Sequence, residues 1–135
     1  MNKNEKPSGK LLRAARKARL QAQAGYSGFR VGAALEAVGG KVFSGCNIEN
    51  ASYSLSVCAE RVALLKALSE GVKRFRTLTV VTGAEQVTPP CGACRQLLWE
   101  YCGDIPVYLC NLRGKVRALT LTELLPLPFD KKSLL

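Results

Sequence analysis

The sequence predicts an α/β domain whose sheet is at least partly parallel and is covered by helices. Read in order, the apolar spacing gives helix, two strands, helix, strand, helix, two strands and a short helix. The central β-α-β-α-β portion joins short strands through helices, and crossovers of that length return strands in parallel. Hydrophobic residues make up 47% and charged residues 22% of the 135, the balance of one globular domain with a core of its own. The chain divides into a basic, flexible lead over residues 1–10 and a single domain over 11–135, with no internal repeat.

The first helix is expected from about Gly9 to Ala24, capped by Ser8, with Leu11, Leu12, Ala15, Ala18 and Ala22 on one side. Gly25 stops it, and Tyr26-Ser27-Gly28 reads as a loop. Phe29 to Ala37 is a strand, Gly39-Gly40 a tight turn, and Lys41 to Ser44 the returning strand of a hairpin. Gly45 to Ser56 has no period and is rich in small polar residues, which marks a functional loop. Cys58 to Leu68 is helical, with Val62, Ala63 and Leu65 expected to face inward. Thr77 to Thr82 is a buried strand; Cys91 to Tyr101 is a helix with Leu97, Leu98 and Tyr101 on its apolar side. Ile105 to Cys110 and Val116 to Leu119 are further strands, and Leu121 to Leu125 is one helical turn.

No apolar run reaches the length of a membrane span, so no membrane partner is expected. Met1 to Lys10 is polar and lacks the apolar stretch of an export signal, which points to a cytoplasmic protein. Six cysteines in that setting point to reduced thiols and metal binding before disulfides. The formal charge is +10, and Lys3, Lys6, Lys10, Arg13, Arg16, Lys17 and Arg19 crowd the start of the chain. Such a cluster is either a nucleic-acid-binding arm or the solvated face of a helix. Aromatic residues for base stacking are missing there, which favours the solvated face, and no nucleic-acid partner is expected.

The chemistry concentrates in Cys58-Ala59-Glu60-Arg61 and Pro90-Cys91-Gly92-Ala93-Cys94-Arg95. A Cys-x-Glu followed by Pro-Cys-x-x-Cys is the pattern of zinc hydrolases that replace an amine on a ring carbon. Histidine is absent, so a soft-ligand site must be built from cysteine. Cys91 and Cys94 fall in the first turn of one helix and Cys58 at the start of another. Helix N-termini stabilise thiolates there. Three ligands leave a fourth position for water. A fourth cysteine (Cys46, Cys102 or Cys110) would close the site into a structural one. Glu60 favours the catalytic alternative, being close enough to exchange protons with the metal-bound water without binding the metal. Three thiolates on Zn²⁺ leave a net negative charge, and Arg61, on the same helical face as Cys58, is expected to donate hydrogen bonds toward the sulfurs; Arg95 is the less favoured candidate for that task.

Beyond these motifs, Phe29-Arg30-Val31-Gly32-Ala33-Ala34-Leu35, Gly45-Cys46-Asn47-Ile48-Glu49-Asn50-Ala51-Ser52-Tyr53 and Gln96 after Arg95 complete a set that resembles the small, homotetrameric cytidine deaminases from about Leu11 to Phe129. The resemblance implies a three-layer α/β/α fold with a mixed five-stranded sheet. It implies zinc-dependent hydrolytic deamination of cytidine and deoxycytidine in pyrimidine salvage, with one Zn²⁺ per subunit on Cys58, Cys91 and Cys94. Glu60 would then shuttle protons between the zinc-bound water, N3 of the base and the leaving amine. It further implies that Asn47 and Glu49 hold ribose hydroxyls, that Phe29 packs by the pyrimidine and that the backbone of Ala59 recognises the base. Ala51, Tyr53 and Phe129 would contact the substrate of a neighbouring subunit in a homotetramer with shared sites. Two rivals remain, one resembling the chain in fewer motifs and one raised by the charge of +10. A blasticidin-type deaminase shares the cysteines and glutamate, but Phe29-Arg30-Val31-Gly32, the Asn47-Ile48-Glu49-Asn50 segment and Arg61 favour a nucleoside substrate. A polynucleotide deaminase must admit a strand, which a terminal Phe129 lid would exclude.

Overall fold

A computed structural model describes residues 1–135. In chain order the elements are α1 (Gly9–Arg19), β1 (Val31–Ala37), β2 (Val42–Cys46), α2 (Ala59–Ser69), β3 (Phe75–Thr82), α3 (Gly92–Cys102), β4 (Pro106–Asn111), β5 (Val116–Thr120) and α4 (Leu121–Leu124). Short 3-10 turns cover Tyr53–Leu55 and Lys131–Leu134. The five strands form one sheet in the order β2-β1-β3-β4-β5. Only β3 and β4 pair in parallel; the other neighbours are antiparallel. β2 and β3, each antiparallel to β1, therefore point the same way, and α2 and α3 both begin beyond the same edge of the sheet.

Side chains alternate between two cores because successive strand residues face opposite ways. Ala33, Leu35, Leu78, Val80, Val107 and Leu109 meet Ala63, Leu64 and Ala67 of α2 and Leu98 of α3. Ala34, Val81, Tyr108 and Cys110 meet Leu11 and Ala15 of α1 on the opposite face. The result is the three-layer arrangement that the resemblance implies, with α1 on one side and α2, α3 and α4 on the other.

Two glycines set how closely the helices approach. A Cβ on Gly32 would lie 2.0 Å from the Ala15 carbonyl oxygen, so α1 rests on the bare backbone of β1. A Cβ on Gly45 would lie 2.6 Å from the Ala59 oxygen and 2.7 Å from the Ala63 nitrogen, which seats the first turn of α2 directly on β2.

Ser8 caps α1 as expected, its hydroxyl accepting from Leu11 N at 3.2 Å. The helix is shorter than its periodicity suggests, ending at Arg19 instead of Ala24. Long-range pairing wins there: Gln23 N donates to Asn47 O and Glu49 N to Gln23 O, both at 2.9 Å, which draws residues after Leu20 into contact with the Asn47 loop. Strand β1 starts at Val31 and not at Phe29, because the Asn47 side chain takes the place of a neighbouring strand at that end. Two expectations about inward faces are corrected. Leu65 is 47% exposed, since α2 buries Glu60, Ala63, Leu64 and Ala67, a one-sided stripe at helical spacing. Tyr101 is likewise 47% exposed, and α3 buries Cys94 and Leu98 instead. No helix is long and apolar enough to cross a membrane.

Candidate active site

Cys58 and Cys91 are the N-cap residues of α2 and α3, and neither side chain makes a capping hydrogen bond. Their sulfurs stay available, and Cys94 adds a third from the first turn of α3. The three Sγ atoms lie within 4.8 Å of one another. Cys58 Sγ and Cys91 Sγ are 3.7 Å apart, and Zn–S bonds of about 2.3 Å in a tetrahedron require about 3.8 Å. The donor set and spacing fit one zinc ion per chain. Cys46, Cys102 and Cys110 are free thiols outside the cluster, so the site keeps an open vertex. Burial pushes Cys102 up to about 12 and Cys110 up to about 11, as suits packed thiols.

Charge within the cluster is uneven. The Cys94 thiol hydrogen-bonding to Cys58 holds Cys58 down at about 6, with help from the Cys91 thiol and the Arg61 charge and against the effect of burial. Cys94, the donor in that pair and buried, is pushed above the usual thiol range. A divalent cation between the sulfurs removes this conflict, since a coordinating thiol is deprotonated outright.

Glu60 is only 4% exposed. Burial first, and the negative charge of Cys58 second, push its carboxyl up to about 7, with Arg61 opposing. A carboxyl poised there can hold or release a proton near neutral pH. Arg61 acts on both groups through its charge but makes no hydrogen bond to a sulfur, and its buried Nε has no partner. Arg95 serves another purpose: it donates to the carbonyls of Pro90 and Leu124, both at 2.8 Å, and so ties the cysteine loop to the C-terminal segment.

Cys58, Glu60 and Cys91 close one end of a cleft of about 310 Å³. Phe29, Val31, Val57, Val80 and Pro89 form its apolar walls, Ala59 lies beside Glu60, and Asn47, Glu49 and Ser27 form the other end. No lysine or arginine is among the lining residues. Asn47 bridges the cleft backbone, accepting from Val31 N at 2.9 Å and donating to Phe29 O at 2.8 Å. Glu49 accepts from Tyr26 N at 3.0 Å and Ser27 N at 2.9 Å through Oε1. Through Oε2 it accepts from the Ser27 hydroxyl and from Asn47 Nδ2, the latter at 3.3 Å. The Ser27 hydroxyl first, then the Ser27 N–H, hold Glu49 below the ordinary carboxylate range.

The expected residues Cys58, Cys91, Glu60, Phe29, Asn47, Glu49 and Ala59 thus converge on one cleft, with Cys94 completing the sulfur cluster. Ala51, Tyr53 and Phe129 do not line it: Tyr53 is 75% and Phe129 59% exposed, and Tyr53 stacks edge-on against Tyr26 at 6.1 Å. Sequence reading passed over Ser27, Thr82 and Thr88. Ser27 lay in a segment whose only signal was a turn, and the 3.2 Å bond between the Thr82 and Thr88 hydroxyls needs the β3–α3 loop to fold back on itself.

A mixed sheet with helix N-termini converging at one edge, three cysteines fitted to zinc and a buried glutamate beside them define a zinc-dependent hydrolase for a small molecule. A family model described as the cytidine and deoxycytidylate deaminase zinc-binding region matches residues 5–110. Two cytidine deaminases are similar across almost the whole chain. The one from Sporosarcina psychrophila is 51% identical over 93% of each chain, and the one from Halalkalibacterium halodurans is 48% identical over 92% of this chain and 95% of its own. The crystal structure of cytidine deaminase from Burkholderia pseudomallei superposes with a TM-score of 0.87 at 46% identity, covering 92% of this chain and all of that one. The chain belongs to the cytidine and deoxycytidylate deaminase family.

Proposed function

We propose that the protein hydrolyses the exocyclic amine of cytidine and deoxycytidine, yielding uridine and deoxyuridine and releasing ammonia in pyrimidine salvage, with one zinc ion per subunit on Cys58, Cys91 and Cys94. The observation that carries this reading is Glu60, 4% exposed and lining the cleft beside three sulfurs spaced for zinc. Cys58, Cys91 and Cys94 would hold the zinc, which would supply Lewis-acid activation of the attacking water. Glu60 takes a proton from the attacking water and gives it to N3 of the base; a second transfer goes to the departing amine. Oxygen bonds to C4, the C4–N bond breaks, and ammonia leaves. Burial suits Glu60 to this task because a proton carrier works best near the operating pH.

Phe29 packs against the pyrimidine, the Ala59 backbone reads the base edge, and Asn47 and Glu49 hold sugar hydroxyls. Arg61 stabilises the thiolates through its charge, and its buried Nε has no other partner in the chain. Ala51, Tyr53 and Phe129 contact substrate in a neighbouring subunit of a homotetramer. Exposure of Tyr53, Leu55, Ile48 and Phe129 outside the chain's own cleft supports that assignment. Six free thiols accord with the reducing cytoplasm.

The family description also covers deoxycytidylate. A phosphorylated substrate is disfavoured here because no cation lines the cleft and Glu49 is an ionised carboxylate at its polar end. Zinc-loaded protein should therefore convert cytidine and deoxycytidine, seen as loss of cytidine absorbance with stoichiometric ammonia, and turn over deoxycytidylate far more slowly. Absence of turnover with both nucleosides would refute the proposal.

A further inference from the structure

The carboxylate of Glu49 has no vacancy. An ionised carboxylate offers about four lone-pair directions. Four donors occupy them: the amides of Tyr26 and Ser27 on Oε1, and the Ser27 hydroxyl and Asn47 Nδ2 on Oε2. A sugar hydroxyl can bond to Glu49 only by displacing one of these donors. The two amides are backbone, fixed by the loop. Asn47 Nδ2 has a second and shorter bond to Phe29 O at 2.8 Å, and its partner oxygen holds Val31 N, so its amide is anchored at both ends. The Ser27 hydroxyl can leave Glu49 by rotation of its O–H about a single bond, on an exposed residue beside Gly28, without giving up the bond it accepts from Phe29 N.

We infer that the Ser27 hydroxyl is a stand-in for the substrate's sugar hydroxyl, occupying its seat on Glu49 in the free enzyme and yielding it on binding. Ser27 Oγ also accepts from Phe29 N at 3.0 Å. The exchange therefore opens the bridge from Glu49 to the backbone of the aromatic wall, so sugar recognition and the position of Phe29 are linked through one oxygen. Ser27 keeps the polar end of the cleft satisfied when empty and makes affinity for the sugar the difference between two hydroxyls competing for one acceptor.

The inference rests on the nucleoside reading above, and its test separates the two. The zinc-loaded enzyme and its Ser27→Ala variant are compared on cytidine, deoxycytidine and 2′,3′-dideoxycytidine. Removing the competitor should lower KM for cytidine and raise the kcat/KM ratio of cytidine to dideoxycytidine by about two- to tenfold, the range one exchanged hydrogen bond commands. Ser27→Thr, which keeps the hydroxyl, should hold the parent ratio. If Ser27→Ala does not fold, Ser27→Gly removes the same oxygen in a loop that already contains Gly28. A ratio that stays level or falls without the hydroxyl, or one that rises equally in Ser27→Thr, overturns the inference: Ser27 would then only brace Glu49. An unmodified enzyme inert toward cytidine defeats the nucleoside reading itself.

Discussion

Glu60 and Arg61 are neighbours with opposite burdens. Glu60 is the proposed proton carrier, and burial in an apolar cleft beside sulfur lifts its carboxyl to about 7. Arg61 carries no proton to the substrate; its charge pulls Cys58 down and offsets the rise of Glu60. The two should separate experimentally. Glu60→Gln keeps the shape but cannot shuttle a proton, so zinc content should stay near one per chain while kcat falls by about 10²–10⁴-fold. Arg61→Ala should instead lose zinc more readily on dialysis, with kcat/KM down about tenfold or more. Metal analysis beside steady-state kinetics checks both, and an Arg61 variant with unaltered zinc retention and activity would contradict its assignment. These residues were visible in the sequence because their chemistry depends on short spacing: Cys-x-Glu and Cys-x-x-Cys put their side chains within one helical turn.

At the scale of elements, the site depends on how closely α2 lies on β2. Gly45 makes that approach possible, and the atoms a Cβ would strike, Ala59 O and Ala63 N, are backbone that cannot swing aside. Gly45→Ala should destabilise the fold by about 1–3 kcal/mol, a fall in Tm of about 5–10 °C. It should also loosen zinc, since the displaced turn carries Cys58 and Glu60. A melting curve that matches the parent would show that α2 can shift at no cost. The same close packing explains why Leu65 misled. Against a bare strand backbone α2 sets small residues such as Ala63, Leu64 carries the bulk of its buried side, and Leu65 falls outside that stripe. Side-chain size is then a poor guide to which face is inward. Similarly, α1 looked longer because alanines continue its spacing to Ala24, whereas the pairing of Gln23 with the Asn47 loop, remote in sequence, decides where it stops.

For the whole molecule, zinc joins two helices that touch each other little elsewhere and whose N-termini meet only at the sheet edge. Metal binding to the folded state alone adds about 4 kcal/mol at a free concentration a thousandfold above Kd. A strong chelator should accordingly lower Tm by about 15 °C and abolish turnover, with zinc restoring both; scanning calorimetry with and without chelator reads the shift. A chelated protein that melts as before would mean that the cysteines contribute nothing to the fold as a metal clip. The charge of +10 stands apart from this centre, for no lysine or arginine lines the cleft.

Spacing along the chain was enough to single out Cys58, Cys91 and Cys94 with Glu60 beside them and to give the element order. Each of these is a local pattern, held within a turn of helix or a run of alternating strand. Folding decided what brings distant segments together. It made β3 and β4 the single parallel pair and set α2 and α3 on one face. It also gave Asn47 a backbone-bridging task and Glu49 a full set of donors. Ser27 is the clearest case: in sequence it is one residue of a turn, and only the meeting of two loops 22 positions apart makes its hydroxyl a partner of the Glu49 carboxylate. Hydrogen-bond saturation is a property of a site in three dimensions, and no one-dimensional pattern records it.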